Sequence, residues 1–268
     1  MPRPKNGYHL KDGTEVPGTT TITNRYMDKS ALLHWAFKQG KNGARSLYEK
    51  SAEALEIGTV VHGMAELALK GRPHEEIEAY LNVSLPDSAM RENARLAYEA
   101  FADWRSTFLV SAYKQEISLV SERHRYGGTI DIMATVGNEL AMLDLKTTST
   151  GKPYTDHLVQ LAAYKGLWDE NFPTEKLTGG FHLILLPKNG SKFAHYHYPQ
   201  LRKAWSTFLL YRQAYDLDKE LADPRTLGGI PVGQHGRRET ITVRPPMAVT
   251  VATCDVGGVP AAYRAILS

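Results

Sequence analysis

Cysteine is almost absent from this chain, because Cys254 is the only one among 268 residues. A single cysteine cannot build a disulfide framework, a cysteine-rich zinc site or a protein-bound iron–sulfur cluster. Long apolar runs are also missing, since no stretch approaches the ~18 consecutive apolar residues that cross a bilayer. The opening residues 1–7 lack the apolar core of a secretory signal. We therefore expect a cytoplasmic protein that has no contact with a membrane.

Net charge is small, because 32 basic and 29 acidic residues leave an excess of +3. This balance permits nucleic-acid binding but does not predict it. The phosphate-loop pattern G-x-x-x-x-G-K-[ST] is absent, so no nucleotide cofactor is expected. An apolar content of 42% and a charged content of 23% are typical of globular proteins. The length fits a single domain over residues 1–268.

Hydrophobic periodicity predicts an α/β or α+β fold in which one sheet is flanked by helices. Asp28 and Thr59 are predicted to cap the first two helices. The predicted helices cover residues 28–40, 58–70, 88–106, 155–169 and 200–221. The predicted strands cover short pieces within 8–24 and the segments 113–121, 128–136, 139–147, 180–186 and 193–198.

One predicted hairpin places two acidic residues opposite each other. Residues 137–138, Gly-Asn, suit a two-residue turn, which pairs Val136 with Glu139 and therefore Asp131 with Asp144. Directly opposed side chains lie about 5 Å apart, and like charges there are destabilising. A divalent cation is the simplest reason for such a pair, because it replaces repulsion with coordination. The other face of the hairpin is predicted to carry the apolar residues Ile130, Ile132, Leu143 and Leu145.

Lys146 follows Asp144 by two residues and is therefore predicted on the same face of its strand. An ammonium group beside carboxylates and a metal can orient a water molecule and stabilise charge on a phosphoryl oxygen. The alternative is a surface hairpin whose Asp and Lys side chains are simply solvated.

Two predicted helices add polar candidates. His157, Gln160 and Tyr164 share one face of the later helix, where the alternative is an ordinary polar rim. His62 and Glu66 share one face of the earlier helix, and His62 could be a metal ligand or a core histidine. Glu66 could orient His62, bind metal itself or do neither.

These residues resemble the PD-(D/E)XK nuclease superfamily, in its RecB-like branch and its phage exonuclease-like relatives. The resemblance rests on four ordered motifs: Gly58-Thr59-x-x-His62, Gly128-Thr129-x-Asp131, Asp144-Leu145-Lys146 and Gln160-x-x-x-Tyr164. It implies a restriction-endonuclease-like core over residues 58–221, with a central mixed sheet of about five strands flanked by helices. Residues 1–50 would form an N-terminal extension, and residues 224–268 a C-terminal one. Residues 16–22 also resemble phage members.

The resemblance implies roles for the motif residues. His62, Asp131, Asp144 and the backbone carbonyl of Leu145 would hold Mg²⁺ or Mn²⁺, without an iron–sulfur cluster. Lys146 would help to orient the attacking water, while Gln160 and Tyr164 would hold the scissile region. Auxiliary roles are expected for two further acids, Glu66 and Glu116.

Other residues are candidates for holding DNA. Cations and hydroxyl groups suit phosphate contacts, and exposed aromatic rings suit stacking on unpaired bases. The phosphate candidates are Arg123, His124, Arg125, Thr147, Thr148, Ser149 and Lys152, and the stacking candidates are Trp35 and Tyr154. A second metal site at His195 and His197 is less expected than an ordinary edge strand.

The sequence therefore predicts a metal-dependent DNA exonuclease for recombination, repair or phage DNA processing, in a bacterium or a phage-infected cell. Its substrate would be single-stranded DNA or duplex ends, and a recombination or single-strand-binding protein could be a partner. A structure-specific or restriction-type endonuclease is the nearest alternative. A non-catalytic nucleic-acid-binding module and a structural subunit are the others. The oligomeric state is not predicted.

Overall fold

The computed structural model describes residues 4, 6–41, 47–148 and 151–222, which fall within the compact unit Met1–Ala222. The described strands are β1 (Tyr8–His9), β2 (Glu15–Val16), β3 (Val110–Ser121), β4 (Tyr126–Val136), β5 (Glu139–Thr148), β6 (Phe181–Pro187) and β7 (Ala194–Tyr198). The described helices are α1 (Thr19–Tyr26), α2 (Ser30–Lys41), α3 (Leu47–Leu69), α4 (His74–Ser84), α5 (Ser88–Thr107), α6 (Thr155–Asn171) and α7 (Arg202–Leu221). Cys254 and the predicted C-terminal extension lie outside the described residues, and the predicted domain division stays a prediction.

The main sheet has five strands in the order β3-β4-β5-β6-β7. Strands β5 and β6 are parallel, and the other neighbouring pairs are antiparallel. A parallel pair requires a crossover connection, which α6 supplies. The predicted fold class is confirmed: a central mixed sheet flanked by helices.

Each face of the sheet carries its own apolar core. One core packs α3, α4 and α5 against alternate residues of β4, β5 and β6. The other packs α1, α6 and α7 against the opposite face. Leu143 and Leu145 lie in the first core and Met142 in the second, as expected where successive strand residues point to opposite faces. Both faces of the sheet are thus buried along the central hairpin, which explains its run of apolar residues from Ile132 to Ala134 and from Leu140 to Leu143.

The N-terminal region differs from its prediction. Residues 19–24, predicted as β, belong to helix α1. The β-branched residues Thr19, Ile22 and Thr23 are spaced for one helix face, and burying that face outweighs their strand propensity.

Two helix predictions also need correction, and a third is confirmed. Helix α3 begins at Leu47, so Thr59 is not a cap: its hydroxyl donates to the carbonyl of Leu55 inside the helix. Helix α4 was not predicted. The end of α3 near Gly71 is confirmed, since the N–H groups of Gly71 and Arg72 return to the carbonyls of Ala68 and Leu67.

One prediction about the hairpin faces is partly wrong. Ile132 lies in the first core with Leu143 and Leu145, but Ile130 lies in the second core. The partner strand β3 has a register shift between Ala112 and Lys114, and the regular alternation of β4 is lost between Ile130 and Ile132. The disturbed stretch of β4 contains Asp131.

Candidate active site

The two predicted acids lie at the point where strands β4 and β5 stop pairing. The register runs from Val136–Glu139 to Ile132–Leu143 as predicted, and Gly137 adopts the positive φ of 62° that its turn requires. Asp131 and Asp144 come one step beyond the last of these pairs. Both side chains are buried, at 2% and 1% exposure. The strands therefore separate where the acids need room.

Asp131 is a buried carboxylate without a hydrogen-bond donor. Neither of its oxygens has a hydrogen-bond partner within the described part of the chain. Burial, followed by the neighbouring charge of Asp144, raises the pKa of Asp131 well above its ordinary value. A buried acceptor of this kind is costly unless something binds it. The site therefore favours a cation or another donor at Asp131.

Lys146 faces Asp144, as the sequence predicts. Its Nζ lies 2.9 Å from Oδ1 and 2.8 Å from Oδ2 of Asp144. Burial opposes the charge of Lys146, but the carboxylates of Asp144 and Asp131 outweigh burial and raise its pKa. The ammonium group is thus held in place beside both acids.

His62 reaches the site from α3. Its Nε2 lies 2.8 Å from the carbonyl oxygen of Leu145, and its Nδ1 lies 3.6 Å from Oδ2 of Asp131. Because a carbonyl only accepts, Nε2 carries the hydrogen and the lone pair of Nδ1 faces Asp131. Burial, and then the charge of Lys146, lowers the pKa of His62 to about 4, so the ring is neutral near pH 7.

Gly58 lets α3 approach β5 closely enough to place His62. A Cβ atom at position 58 would lie 3.2 Å from Oγ1 of Thr147. That distance is tight, so a larger side chain would push the helix away from the strand. Gly58 and His62 lie one turn apart on the same helix, which explains their spacing in the sequence.

Helix α6 contributes Gln160 and Tyr164. The amide nitrogen of Gln160 donates to the hydroxyl of Tyr164 over 2.7 Å. Burial raises the pKa of the Tyr164 phenol, and the charge of Asp131 raises it further. His157, on the predicted polar face, instead accepts from the backbone N–H of Tyr154 at the start of the helix, over 3.4 Å.

A pocket of about 430 Å³ brings most of these groups together. Asp144 lies behind it, buried beneath Lys146. The sequence-predicted residues that line the pocket are His62, Asp131, Leu145, Lys146, Thr147, Gln160 and Tyr164. Sequence reasoning missed Tyr8, Thr20, Thr21 and Asn24, which line the same pocket. For Thr20 and Thr21 the only signal was the phage-like pattern of residues 16–22, which gave them no role, and for Tyr8 and Asn24 there was none.

The two auxiliary acids lie near the site, and the contacts of Glu66 narrow its role. Glu66 forms an ion pair with Lys70 at 2.5 Å, while the ring nitrogens of His62 face Leu145 and Asp131. Glu66 therefore does not orient His62. Glu116 adopts a positive φ of 50°, which is strained for a residue other than glycine. Burial, and then the charge of Glu66, raises the pKa of Glu116.

The DNA-holding candidates are divided between two places. Thr147 lines the pocket, Thr148 is buried behind it, and Lys152 and Tyr154 are exposed where the chain enters α6. Arg123 and His124 instead line a separate groove of about 700 Å³ against α6 and α7, and Arg125 is exposed in the turn beside them. Ser149 and the side chain of Trp35 lie outside the described residues.

The donor set fits a hard divalent cation that keeps part of its water shell. Across the described ranges, no three His, Cys, Asp or Glu side chains already form a metal cluster. Mg²⁺ does not need one, because one or two carboxylates, water and substrate oxygens suffice. The unpartnered oxygens of Asp131, the adjacent Asp144 and the Leu145 carbonyl supply such a set. The alternative metal site at His195 and His197 is not supported, since their rings bond to Trp104, His182 and Gly179.

Comparisons with known proteins agree with this picture. A sequence model described as the PD-(D/E)XK nuclease superfamily matches residues 30–226. No curated protein matches the chain. Within the described ranges, no helix combines the length and apolar character needed to traverse a bilayer.

Three solved structures are similar at low identity. A protein from Eubacterium rectale with a provisional exonuclease assignment is 14% identical, with a TM-score of 0.43, over 67% of this chain and 69% of its own. The protein SSO0001 is 13% identical, with a TM-score of 0.31, over 60% and 72%. LHK-Exo, solved with dAMP, is 13% identical, with a TM-score of 0.29, over 59% and 91%.

Proposed function

The chain belongs to the PD-(D/E)XK nuclease superfamily, and we propose that it is a divalent-metal-dependent deoxyribonuclease that degrades DNA from its ends. Nucleases of this superfamily generally use divalent metal ions. The observation that carries the proposal is the buried Asp131, which has no hydrogen-bond donor and lies next to Asp144 and Lys146 in an open pocket.

The metal-binding residues would be Asp131, Asp144 and the Leu145 carbonyl, with His62 able to turn its free Nδ1 toward the same ion. A bound Mg²⁺ or Mn²⁺ would polarise the phosphodiester and favour ionisation of the attacking water. Without an ion, the carboxylates repel each other and a phosphate would be repelled as well. The two acids therefore favour binding of a cation before binding of the substrate.

Lys146 would orient the water and stabilise the phosphoryl oxygens. Its ammonium is anchored at 2.8 Å and 2.9 Å by the carboxylate of Asp144, which leaves further N–H bonds to point into the pocket. Negative charge grows on the phosphoryl oxygens as water attacks, and a fixed cation there lowers the barrier. The water loses a proton to solvent, and the leaving sugar oxygen takes one up.

Gln160 and Tyr164 would hold the backbone beside the scissile bond. The Gln160 amide that bonds the Tyr164 hydroxyl keeps both groups at the pocket wall. The remaining amide donor and the hydroxyl are suited to phosphate oxygens, which are acceptors only. These contacts would position the substrate without reading its sequence.

The test compares linear and covalently closed circular DNA, each incubated with Mg²⁺, Mn²⁺ or EDTA. We expect release of nucleotides or short products from linear DNA with either metal and none with EDTA. Cleavage of closed circles would instead indicate an endonuclease. Binding without cleavage under every metal condition would identify a non-catalytic DNA-binding module, and no binding at low salt would favour a structural role.

The proposed biological setting is DNA recombination, repair or phage DNA processing in a cytoplasm, with a recombination or single-strand-binding protein as partner. The single-turnover products would refine this setting. An exonuclease that leaves a long single strand prepares a substrate for recombination, whereas one that removes only a few nucleotides serves end repair.

A further inference from the structure

The N-terminal segment supplies one wall of the active-site pocket. Thr20, Thr21 and Asn24 of α1 line this wall, together with Tyr8 and Gly18. The superfamily match begins at residue 30, so the wall comes from outside the matched part of the chain. We call the side chains of Thr20, Thr21 and Asn24 the hydroxyl–amide wall.

Helix α1 is built to present this wall. Its residues Thr19, Ile22 and Thr23 are buried and point into the protein. The wall residues lie between these buried positions and are exposed. The helix therefore buries its β-branched face and leaves its hydrogen-bonding face toward the pocket.

The helix is held at both of its ends. The hydroxyl of Thr19 donates to the carbonyl of Gly127 over 3.0 Å, and the N–H of Gly127 donates to the carbonyl of Pro17 over 3.0 Å. At the other end, the hydroxyl of Tyr26 donates to Asp218 over 2.6 Å. The wall is thus attached to β4, the strand that carries Asp131, and to α7.

The polar groups of the wall are not used inside the protein. Within the described part of the chain, the side chains of Thr20, Thr21 and Asn24 have no hydrogen-bond partner. Gly18 is the N-cap of α1 and has no side chain to satisfy the first-turn N–H groups. The first turn contains no acidic residue that would repel an anion. Asp131, 2% exposed and unpartnered, lies in the same pocket.

A second wall, formed by α3, has a different chemistry. Apart from His62 at the acidic end, it carries Ala54 and Gly58, which offer no hydrogen-bonding side chain, and Thr59, whose hydroxyl already donates to the carbonyl of Leu55. Leu55 lines the same wall and is 70% exposed. A nucleotide strand carries charged phosphates on one side and bases with apolar faces on the other, which match the two walls in only one orientation.

We propose that the hydroxyl–amide wall of α1 receives the phosphate backbone next to the scissile bond, with the sugar and base toward Leu55. This inference rests on the proposed DNA-cleaving function. Hydroxyl groups, amides and helix N-termini are common phosphate ligands, and they position DNA without reading its sequence. Thr20, Thr21 and Asn24 are positioning residues, since the reacting atoms lie at Asp131 and Lys146.

The test replaces both threonines of the wall by valine in the full-length chain. Thr20→Val/Thr21→Val keeps the shape and the similar helix propensity but removes two hydroxyl groups. Two lost hydrogen bonds from hydroxyl groups to phosphate predict about a tenfold or larger rise in the Kd for short DNA and in KM, with kcat within about twofold. Binding is measured by fluorescence anisotropy with Ca²⁺, a hard cation that oxygen ligands such as the two acids bind, and KM and kcat are measured with Mg²⁺.

Three controls sharpen the result. Thr20→Ser/Thr21→Ser restores the hydroxyls and should restore binding. Thr207→Val removes an exposed helical hydroxyl outside the pocket, which bonds the carbonyl of Lys203, and should leave Kd and KM unchanged. Neutral methylphosphonate linkages in the DNA should weaken binding to the wild type more than binding to the valine variant. The variant has already lost the hydroxyl-to-phosphate interaction that the neutral linkage removes.

Each outcome decides the proposal. An unchanged Kd and KM, or a fall in kcat alone, would overturn the role of the wall even though the enzyme cleaves DNA. If the wild type binds DNA but never cleaves it, the proposed function fails while the Kd comparison still judges the wall. An equal methylphosphonate effect in both proteins would place the phosphate elsewhere.

Discussion

Two clusters of buried or partly buried polar side chains lie against the same sheet and differ in one respect. At the separated ends of β4 and β5, Asp131 has no hydrogen-bond donor for either oxygen. On β6 and β7, Trp104 N–H donates to Nδ1 of His195, whose Nε2–H donates to Nδ1 of His182 over 2.8 Å. Nε2–H of His182 then donates to the carbonyl of Gly179. The histidine cluster is complete without a ligand, whereas the acidic cluster is not.

The difference separates a binding site from a structural network. A buried polar group normally finds its partners within the protein, and an exception requires an explanation. The spacing of the histidines alone would suggest a metal site. Every N–H hydrogen in the histidine cluster, however, already has an acceptor. Residue type therefore says less about function than whether the side chain has been satisfied. Four ways to test this contrast follow, in order of expected effect.

The largest effect is expected from Lys146→Ala and Asp144→Ala. Each should reduce DNA cleavage by roughly 10²-fold or more, because the fixed charge that stabilises the transition state is lost. Circular dichroism and the melting temperature check that the fold is retained. Cleavage at the wild-type rate by either variant would remove its residue from the mechanism.

The companion variant His62→Ala should shift the metal concentration needed for cleavage. An unchanged metal titration would mean that His62 is a structural core residue and not a metal ligand.

Asp131→Asn should separate activity from stability. Asparagine keeps the shape but removes one of two adjacent buried charges, so metal-free protein should gain up to about 3 kcal/mol in its free energy of unfolding. Cleavage should be lost at the same time. Added Mn²⁺ should raise the melting temperature of the wild type but not of this variant. A variant less stable than the metal-free wild type would mean that Asp131 has an internal partner after all.

Much of the fold was accessible from sequence because its signals are local. The turn at Gly137 fixed the hairpin register, and the apolar periodicity of α5 matches its one buried face, from Ala94 to Trp104. Helix α1 was not accessible in this way. Its β-branched run is typical of strands, and the helix instead buries Ile22 in a core whose other members come from distant strands and from α6 and α7.

The site was predictable in its chemistry but not in its extent. The motif residues meet because each motif lies at a fixed place on α3, β4, β5 or α6. Tyr8 and Thr20 join them through packing that no local pattern reports. The strain at Glu116, with φ of 50°, and the departure of Ile130 from its predicted face also arise from the disturbed strand geometry near Asp131. Departures from regular structure thus cluster where the function is proposed.

The histidine cluster should respond to Trp104→Phe in the opposite manner to the acids. Trp104 is fully buried, and the variant leaves Nδ1 of His195 without a donor, at a cost of about 2 kcal/mol in stability. The kcat and KM for DNA should stay unchanged at a temperature where both proteins are folded. A fall in kcat would mean that the histidine cluster also contributes to catalysis, so the two clusters would no longer differ in function.

The smallest effect is the pH dependence of the same cluster. Burial, and then the charge of His195, lowers the pKa of His182 from 6.5 to about 4. The unfolded chain therefore binds a proton at His182 that the folded chain refuses, so the contribution is complete above pH 6.5 and is lost as the pH falls toward 4. His195 and His197 are the titratable groups that face it, and neither supplies a negative charge.

His182→Gln offers one acceptor and one donor without titrating. Between pH 7 and pH 5, wild type should lose about 1 kcal/mol more stability than this variant, as measured by urea unfolding. Parallel pH profiles for the wild type and His182→Gln would mean that the folded histidine cluster accepts a proton. Its hydrogen bonds would then not keep the rings neutral.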